Sequence, residues 1–394
     1  SLIAPFSIGA GTDSQDMKPL NILHVFRAPV GGLFRHVFDL AREQTARGHR
    51  VGLIADSNTG GARAEDTLRL LEPSLALGLT RFPMRRHANP GDLLALAHVV
   101  RRARDTEADV VHGHGAKGGA YARLSFGGKR PVRAYTPHGG SPLFGHETFA
   151  GKFYLETERL LMLRGDLFLF ESAYSADIFR RKIGSPRGLV RIVHNGVSQA
   201  EFKPIKAVPD ATDLVFMGEL RPVKGIDVLI DAVARLRDAG RSVTVTLVGD
   251  GPDRPALQAQ VDALGLSGAI RFKPAMPAYK ALTLGRIMVV PSRAESLPYV
   301  VLETAAGSKP LITTNVGGIP EIYGPLSRNL VQPQDQAALA AAIARALDNP
   351  AEIAETTRKL REQVQTAFSV ETMVDGVLAA YEKAIENVQA KGSR

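Results

Sequence analysis

The feature that most constrains this sequence is an alternation of short apolar runs with longer amphipathic stretches, which occurs twice along the chain. The apolar runs are rich in Val, Ile, Leu or Phe and are bounded by Gly, Pro or polar residues, as buried strands are. They predict strands at residues 21–26, 51–55, 109–112, 132–136, 167–170 and 190–194, and again at 214–217, 243–248, 270–272, 287–290, 311–314 and 330–331. Helical patterns lie between them, and this order predicts parallel sheets with helices on both faces.

The length of the chain favours two domains. It has 394 residues, 44% of them hydrophobic, which suits two cores of about 200 residues each. Residues 202–213 have little periodicity and are the best candidate for a linker. We predict a Rossmann-like domain at 17–203, a second at 204–369, and a C-terminal helix at about 370–390 that packs back on the first domain. Ligands of such sheets bind beyond the carboxyl ends of the strands.

The start of the chain predicts a segment outside the fold. Residue 1 is serine, and Met17 begins a stretch that reads like a natural start running into the first strand. Residues 1–16 are therefore interpreted as a leader or an expression remnant. The apolar stretch at 2–8 lacks a basic flank, which argues against a signal peptide. No apolar run of the sequence reaches the roughly 18 residues of a membrane span.

Composition excludes several chemistries and indicates an anionic partner. Cysteine is absent, which excludes disulfides, thiolate nucleophiles, zinc–cysteine sites and iron–sulfur clusters. The net charge is +9, and its distribution is uneven: residues 17–203 have 28 Lys or Arg against 17 Asp or Glu, whereas residues 204–394 have 21 against 21. Nucleic acid, anionic membranes and phosphorylated ligands all attract such a basic half.

Glycines and histidines at strand ends are the first candidate site residues. Gly31 and Gly32 precede a predicted helix, where phosphate contact and a plain turn are equally good interpretations. His112, His114 and His138 end predicted strands, but their spacing, with no matched acid nearby, does not favour a metal site. A polar loop cap is one alternative. The position of His138 favours a hydrogen bond to a polar substrate.

The second half has two pairs of charged candidates. Arg221 and Lys224 lie at a strand-to-helix turn, where two cations suit a diphosphate, although a solvated loop explains them equally well. Glu303 lies in an apolar helix, where a carboxylate needs hydrogen bonds, and the vicinal hydroxyls of a ribose would donate them. Glu295, in the loop before that helix, would bind hydroxyls of another group. The plain alternative is one solvated acid and one structural acid.

These segments together resemble the family 4 retaining glycosyltransferases, which have the two-domain GT-B fold. The matching segments are Gly31–Leu33, Asp109–His114, Thr136–Gly139, His194–Val197, Gly218–Gly225, Val248–Pro252, Glu295 with Glu303, and Asn315–Glu321. Each motif alone is weak, but they follow the family's order at family-like separations from Lys18 to about Asn387. The resemblance implies two Rossmann-like domains whose parallel sheets face each other across a deep interdomain cleft.

The resemblance also implies the reaction. A sugar would move from a nucleoside-diphosphate sugar to a hydroxyl acceptor with retained anomeric configuration, without a bound metal or other cofactor. The implied catalytic residues are His138, which contacts the donor sugar, Lys224, which stabilises the leaving diphosphate, and Glu295, which holds sugar hydroxyls. The implied donor-binding residues are Glu303 at the ribose, Gly31, Gly32, Arg221, and the segment of Ser296, Leu297, Pro298 and Tyr299.

Three positions depart from the family pattern. Glu219 stands directly after Gly218, where arginine is common, so Arg221 is the candidate replacement for that cation. The segment after Glu295 is not glycine-rich, which indicates a different sugar pocket. Ser308 stands where glycine is usual, a departure that concerns packing more than chemistry.

The resemblance leaves the substrates open. Uridine diphosphate sugars are the first expectation and guanosine diphosphate sugars the second. The expected acceptor is a cell-surface polysaccharide or lipid-linked saccharide, with a small soluble acceptor as the alternative. We expect a cytoplasmic protein whose basic first domain touches the anionic inner face of the cell membrane.

Two other classes of function compete with a glycosyltransferase. One is a nucleotide-sugar epimerase, a phosphorylase or another enzyme on the same fold, for which the sequence has no matching motif. The other is a nucleic-acid-binding protein, which would use the basic half. The sequence contains no recognisable nucleic-acid module and no tryptophan for stacking, so we expect no nucleic-acid partner.

Overall fold

The computed structural model describes residues 18–126, 130–139 and 149–392. The predicted leader at 1–16 lies outside these ranges. The first domain is a seven-stranded parallel sheet in the order β3-β2-β1-β4-β5-β6-β7. Its strands are β1 (Asn21–Phe26), β2 (Arg50–Asp56), β3 (Gly78–Phe82), β4 (Val110–His114), β5 (Val132–Thr136), β6 (Leu167–Phe170) and β7 (Leu189–Ile192). Its helices are α1 (Gly31–Ala46), α2 (Gly61–Leu71), α3 (Gly91–Asp105), α4 (Gly115–Leu124), α5 (Phe149–Met162) and α6 (Ala173–Lys182).

The second domain is a five-stranded parallel sheet in the order β10-β9-β8-β11-β12. Its strands are β8 (Thr212–Met217), β9 (Val245–Val248), β10 (Ile270–Lys273), β11 (Gly285–Val290) and β12 (Leu311–Thr313). The helices that follow are α7 (Ile226–Asp238), α8 (Arg254–Ala263), α9 (Ala278–Ala281), α10 (Tyr299–Ala306), α11 (Ile319–Tyr323), α12 (Gln336–Asp348), α13 (Pro350–Ala367) and α14 (Val370–Gly392). The predicted fold class, two Rossmann-like domains with parallel sheets, is confirmed.

The last helix, α14, leaves the second domain and packs on the first. Its Val374, Val377 and Tyr381 are buried in the same core as Ile22 of β1 and Leu167 of β6. A parallel bridge between Val197 and Ser369 lies where the chain returns. The chain therefore passes between the domains twice. In the described ranges no helix has both the length and the apolarity that a membrane span requires.

Two local differences from the sequence expectations have physical causes. The prediction omits β3, whose residues are mostly half-buried and give little apolar signal. Residues 330–331 form no strand, because Val331 makes only an isolated bridge with Thr314.

The carboxyl ends of both sheets meet where the domains contact each other. Asn195 Nδ2, just beyond β7, donates to the carbonyl of Leu297 at 2.9 Å. Glu321 of α11 accepts from the backbone N–H groups of Ala173 and Tyr174 at 2.9 and 3.0 Å, so it caps α6 from the other domain. The edge at which ligands of such sheets bind is therefore shared by the two domains.

Candidate active site

A row of hydrogen-bonded side chains runs through the first domain to this edge. His24 Nε2 lies 2.8 Å from Gln44 Oε1, and His24 Nδ1 lies 2.9 Å from His114 Nε2. His114 Nδ1 is 3.0 Å from His138 Nε2, and His138 Nδ1 is 2.5 Å from Glu171 Oε1. We call these five residues the histidine row. It exists because β1 pairs with β4. His24 lies opposite His112, and His114 lies two residues further along β4 on the same face of the sheet.

The histidine row ends in a charged carboxylate, whereas its rings at His24 and His114 are neutral. Burial lowers the pKa of His24 to about 4 and the pKa of His114 well below its ordinary value. Burial acts to raise the pKa of Glu171, but His138 opposes it, and the pKa falls to about 2. At neutral pH, Glu171 is therefore an ionised carboxylate, while the rings of His24 and His114 carry no charge.

The structure places His138 at the carboxyl end of β5 with both ring nitrogens engaged by protein partners. Its backbone has a φ of 51°, in the left-handed region that is uncommon for residues other than glycine. Such backbone strain persists only where the surroundings determine it. The ring of His138 reaches a sugar with a nitrogen only after releasing Glu171 or His114.

The cluster also raises the question of a metal. The nitrogens of His24, His112 and His114 lie within 4.8 Å of one another, as do those of His36, His114 and His138. However, His112 is bonded to the hydroxyls of Tyr381 and Thr136 at 2.6 and 2.8 Å, and His24 and His114 use both nitrogens in the row. Hydrogen bonds between protein groups thus already occupy the donor atoms of the first group.

A charged pair lies on the opposite side of the site, in the second domain. Lys224 Nζ is 2.7 Å from Glu295 Oε1, and Ser292 Oγ donates to the same oxygen at 2.7 Å. We call Lys224 and Glu295 the charged pair. Lys224 ends the short 3-10 turn after β8, and Glu295 follows β11, so two neighbouring strands of the sheet bring them together.

Two glycines allow this close approach. Gly225, directly after Lys224, has a φ of 65°, and a Cβ there would lie 2.1 Å from the carbonyl oxygen of Pro291. Gly317 has a φ of 58°, and its Cβ would lie 1.8 Å from the carbonyl oxygen of Glu295. Both contacts exclude any side chain. These two glycines, which belong to the motif segments Gly218–Gly225 and Asn315–Glu321, therefore fix the positions of Lys224 and Glu295.

The segment after Glu295 joins the two domains. Ser296 Oγ lies 3.1 Å from Glu171 Oε2 and 2.6 Å from Ser175 Oγ. Leu297 accepts a hydrogen bond from Asn195. Pro298 is the N-cap of α10, and no side chain of the described residues caps that helix. Its first N–H groups are therefore available to an anion.

Glu303 lies in α10 with 16% of its side chain exposed, and it forms an ion pair with Arg35 of α1. The guanidinium of Arg35 lies over the ring of Tyr299, 4.6 Å from its centroid. Gly32, at the start of α1, faces the same ring, since a Cβ there would lie 3.4 Å from it. Gly31 begins α1 beside it. The predicted residues Gly32, Tyr299 and Glu303 are thus neighbours, and Arg35 joins them.

Arg221 is not part of this assembly of side chains. It is about half exposed and pairs with Glu219 at 3.5 Å. Glu219, which departs from the family pattern, and Arg221, the candidate replacement for the missing cation, therefore contact each other. Ser308 has a φ of 55°, which explains why glycine suits that position, and its hydroxyl accepts from Arg361 Nη1 at 3.0 Å.

Sequence reasoning missed four residues of the site: Arg35, Glu171, Asn195 and His24. Glu171 had a usable signal, because it directly follows a predicted strand whose carboxyl end meets the site. His24 had one as well, as a polar residue in an otherwise apolar strand. Asn195 lies in the motif segment His194–Val197 but was not singled out. Arg35 had no signal, because its importance depends on partners far away in the sequence.

The arrangement can bind an anionic, polyhydroxylated ligand between two Rossmann-like domains. Lys224 offers a cation, the start of α10 offers N–H groups, and Glu295 and Glu303 offer acceptors for hydroxyls. A phosphate next to sugar hydroxyls fits this set of groups. The fold and this arrangement define the class: a glycosyltransferase of the GT-B fold.

Comparisons with known proteins identify the family. Residues 30–201 match the model described as Glycosyltransferase Family 4, and residues 197–366 match the one described as Glycosyl transferases group 1. The chain therefore belongs to the group 1 glycosyltransferases. It is 26% identical to a glycogen synthase of Mycobacterium tuberculosis over 89% of this chain and 91% of the relative.

Two further similarities are consistent with this assignment. The chain is 29% identical to D-inositol 3-phosphate glycosyltransferase 1 of Catenulispora acidiphila, over 71% of this chain and 73% of the relative. Its structure resembles that of HepE from Anabaena, solved in complex with UDP and glucose, with a TM-score of 0.76, 20% identity, and coverage of 92% of this chain and 100% of that one.

Proposed function

We propose that this protein transfers a sugar from a nucleoside-diphosphate sugar to a hydroxyl acceptor with retention of the anomeric configuration. The observation that carries the proposal is the charged pair, Lys224 Nζ and Glu295 Oε1, at 2.7 Å beside the start of α10. A cation, open N–H groups and a carboxylate at one point match a sugar joined to a diphosphate. The expected alternative, an epimerase or phosphorylase on this fold, has no comparable support.

The charged pair separates when the donor binds. Lys224 exchanges Glu295 for the diphosphate, and Glu295 turns to the hydroxyls of the donor sugar. Negative charge develops on the diphosphate as its bond to the anomeric carbon breaks, so a fixed cation there stabilises the transition state more than the bound donor. Glu303 accepts from the ribose hydroxyls, and Ser296 to Tyr299 supply backbone contacts.

The proposed chemistry uses no covalent intermediate with the protein. The acceptor oxygen forms its bond to the anomeric carbon on the face from which the diphosphate leaves, and a diphosphate oxygen takes the acceptor's proton. His138 lines this place, with its ring held by Glu171 and His114. No metal takes part in the proposed reaction, so EDTA should leave turnover unchanged.

The first donor to test is a uridine diphosphate sugar, followed by a guanosine diphosphate sugar. HepE, solved with UDP, supports this order. Purified protein is incubated with a panel of nucleotide sugars, diphosphate release is measured, and the product is analysed by mass spectrometry and by NMR of the new anomeric centre. An inverted product would overturn retention, and release from no nucleotide sugar would overturn the proposed function.

The proposed acceptor is a saccharide of the cell surface or a lipid-linked one, reached from the cytoplasmic face of the membrane. The exposed face of α3 supports this proposal, because Leu93 and Leu94 are 74% and 70% exposed and Arg101 and Arg104 are exposed on the same helix. Basic and apolar groups on one helix suit an anionic bilayer surface. The basic cluster of α6 is already engaged within its own helix, since Arg180 and Arg181 both pair with Asp177.

Sedimentation with vesicles tests the membrane contact. We expect binding to vesicles containing phosphatidylglycerol and little binding to pure phosphatidylcholine, and we expect Leu93→Ser with Leu94→Ser to weaken it. Equal binding to both vesicles would contradict the proposal and leave a small soluble acceptor as the better alternative. Thermal stabilisation by duplex DNA instead of nucleoside diphosphates would favour the nucleic-acid alternative.

A further inference from the structure

Arg35 lies where the two domains meet and contacts three carboxylates. Its Nη1 is ion-paired with Glu303 of α10. Its Nη2 lies 2.7 and 2.6 Å from the two carboxylate oxygens of Glu201, and its Nε lies 3.5 Å from Asp39 Oδ2. The face of the guanidinium rests on Tyr299. One side chain of the first domain thus holds the proposed ribose-binding residue of the second.

The charges at this point favour a fixed guanidinium. Burial acts to lower the pKa of Arg35, but Glu303, Glu201 and Asp39 together raise it above its ordinary value. Burial raises the pKa of Asp39 to about 6 against the opposing effect of Arg35. A planar guanidinium can bond two carboxylates at once in fixed directions, which an ammonium group cannot do.

Glu201 anchors the other end of this contact. It lies at the end of the first domain, and its Oε2 accepts from the backbone N–H and the hydroxyl of Ser198 at 2.8 and 3.0 Å. Arg35 is therefore fixed in the first domain before it reaches Glu303. A continuous series of hydrogen bonds and ion pairs therefore crosses the domain boundary, from Ser198 through Glu201 and Arg35 to Glu303.

We propose that Arg35 is a positioning residue for nucleotide recognition, which holds the Glu303 carboxylate in the orientation that binds the ribose hydroxyls. The inference rests on the proposed function, in which Glu303 contacts the ribose. It adds that the first domain takes part in nucleotide binding through Arg35. The residue acts through Glu303, so its effect depends on the ribose hydroxyls of the ligand.

A comparison of ligands with and without one hydroxyl tests this dependence. Calorimetry gives the Kd of the full chain for uridine diphosphate and for 2′-deoxyuridine diphosphate, or for the guanosine pair if that binds more tightly. In the wild-type chain we expect loss of the hydroxyl to weaken binding about tenfold. In Arg35→Lys we expect uridine diphosphate to bind about tenfold more weakly than it binds to the wild-type chain. In this variant, loss of the 2′-hydroxyl should change the Kd little. Such a cycle isolates the coupling of Arg35 with the hydroxyl.

Matched variants separate this role from a structural one. Arg42→Lys is the same change on the same helix at a side chain that is 44% exposed, and it should leave both Kd values unchanged. Glu201→Gln keeps Arg35 but removes the charge of its anchor. It should reduce the ratio of the Kd values for the deoxy and the ribose ligand by about threefold. Inorganic diphosphate should bind equally to the wild-type chain and to Arg35→Lys. The donor KM should rise in Arg35→Lys more than kcat falls.

The outcomes distinguish the two proposals. If the wild-type chain binds ribonucleotides but the contribution of the hydroxyl is the same in Arg35→Lys and Glu201→Gln, the inference about Arg35 is wrong and the proposed function stands. If the wild-type chain binds no nucleoside diphosphate, both are wrong. Circular dichroism of each variant confirms that the fold is retained, and Glu201→Gln provides the test if Arg35→Lys does not fold.

Discussion

The two sides of the site satisfy their polar groups in different ways. The histidine row belongs wholly to the first domain, is buried, and has uncharged rings at His24 and His114, with each member hydrogen-bonded to the next. The charged pair belongs to the second domain, and 26% of the Lys224 side chain is exposed. A ligand could replace a hydrogen-bond partner in the histidine row only by disrupting the core of the first domain. In the charged pair, a diphosphate can replace Glu295 as the partner of Lys224, and sugar hydroxyls can replace Lys224 as the partner of Glu295.

This difference separates residues that mainly stabilise the fold from residues that mainly support activity. A buried polar group left without its partner lowers the free energy of unfolding, whereas a partly exposed ion pair contributes little to it. Changes in the histidine row should therefore lower stability, and changes in the charged pair should lower activity. The following predictions test that division.

The largest effect is expected at the charged pair. Lys224→Ala should lower kcat by about 10²–10³-fold, because it removes the cation that faces the developing charge of the diphosphate. Its free energy of unfolding should change by about 1 kcal/mol or less. Steady-state assays of diphosphate release and urea denaturation measure the two quantities. Turnover at the wild-type rate would refute the role given to Lys224.

In the histidine row the expected effect is on stability. His114→Leu leaves His24 Nδ1 and His138 Nε2 without their partner, and we expect it to lower the free energy of unfolding by about 2–4 kcal/mol. Urea denaturation followed by circular dichroism, compared with Lys224→Ala, measures the difference. Equal free energies of unfolding for His114→Leu and Lys224→Ala would contradict the proposed difference between the histidine row and the charged pair.

The pH dependence of stability sharpens the same comparison. Histidines in the unfolded chain titrate near pH 6.5, whereas burial lowers the pKa of His24 to about 4 and of His36 to about 3. Between these values the unfolded chain binds more protons, so the free energy of unfolding should fall as the pH falls below about 6.5. Each buried histidine contributes a slope of at most about 1.4 kcal/mol per pH unit. A flat profile from pH 7 to 5 would contradict this, and His114→Leu should give a shallower slope.

The smallest effect is expected at Arg221. Its guanidinium is 46% exposed and faces Glu219, so Arg221→Ala should change kcat/KM by about threefold or less. The same assay as for Lys224→Ala measures it. A loss near that of Lys224→Ala would show that Arg221 moves to the diphosphate and replaces the family's arginine at the position of Glu219.

The sequence predicted the parts of the site that depend on local pattern. Lys224 and Glu295 follow strands of one sheet, and parallel strands place such residues at one edge, so their proximity was predictable. The parallel sheets followed from the alternation of apolar runs and helices. Position in the chain was enough for these features.

The remaining parts depend on contacts between distant segments. The histidine row requires β1 beside β4, an order that no local pattern specifies. Arg35 lies 166 residues from Glu201 and 268 from Glu303, and it stands in a helix that reads as an ordinary amphipathic one. Glu171 was within reach of the rule applied to His138, since both lie just beyond the carboxyl ends of predicted strands.

The neutral rings of His24 and His114 also give the histidine row a common direction. A neutral imidazole has one N–H, so each of these rings donates at one nitrogen and accepts at the other. If His24 donates from Nδ1 to His114, then His114 donates from Nδ1 to His138 and Gln44 turns its amide N–H₂ group toward His24; if His114 donates to His24, both neighbouring hydrogen bonds reverse with it. At the domain boundary His138 donates its Nδ1–H to Glu171, because an ionised carboxylate only accepts. The hydrogen-bond dipoles from Gln44 to His138 are therefore aligned through the interior of the first domain.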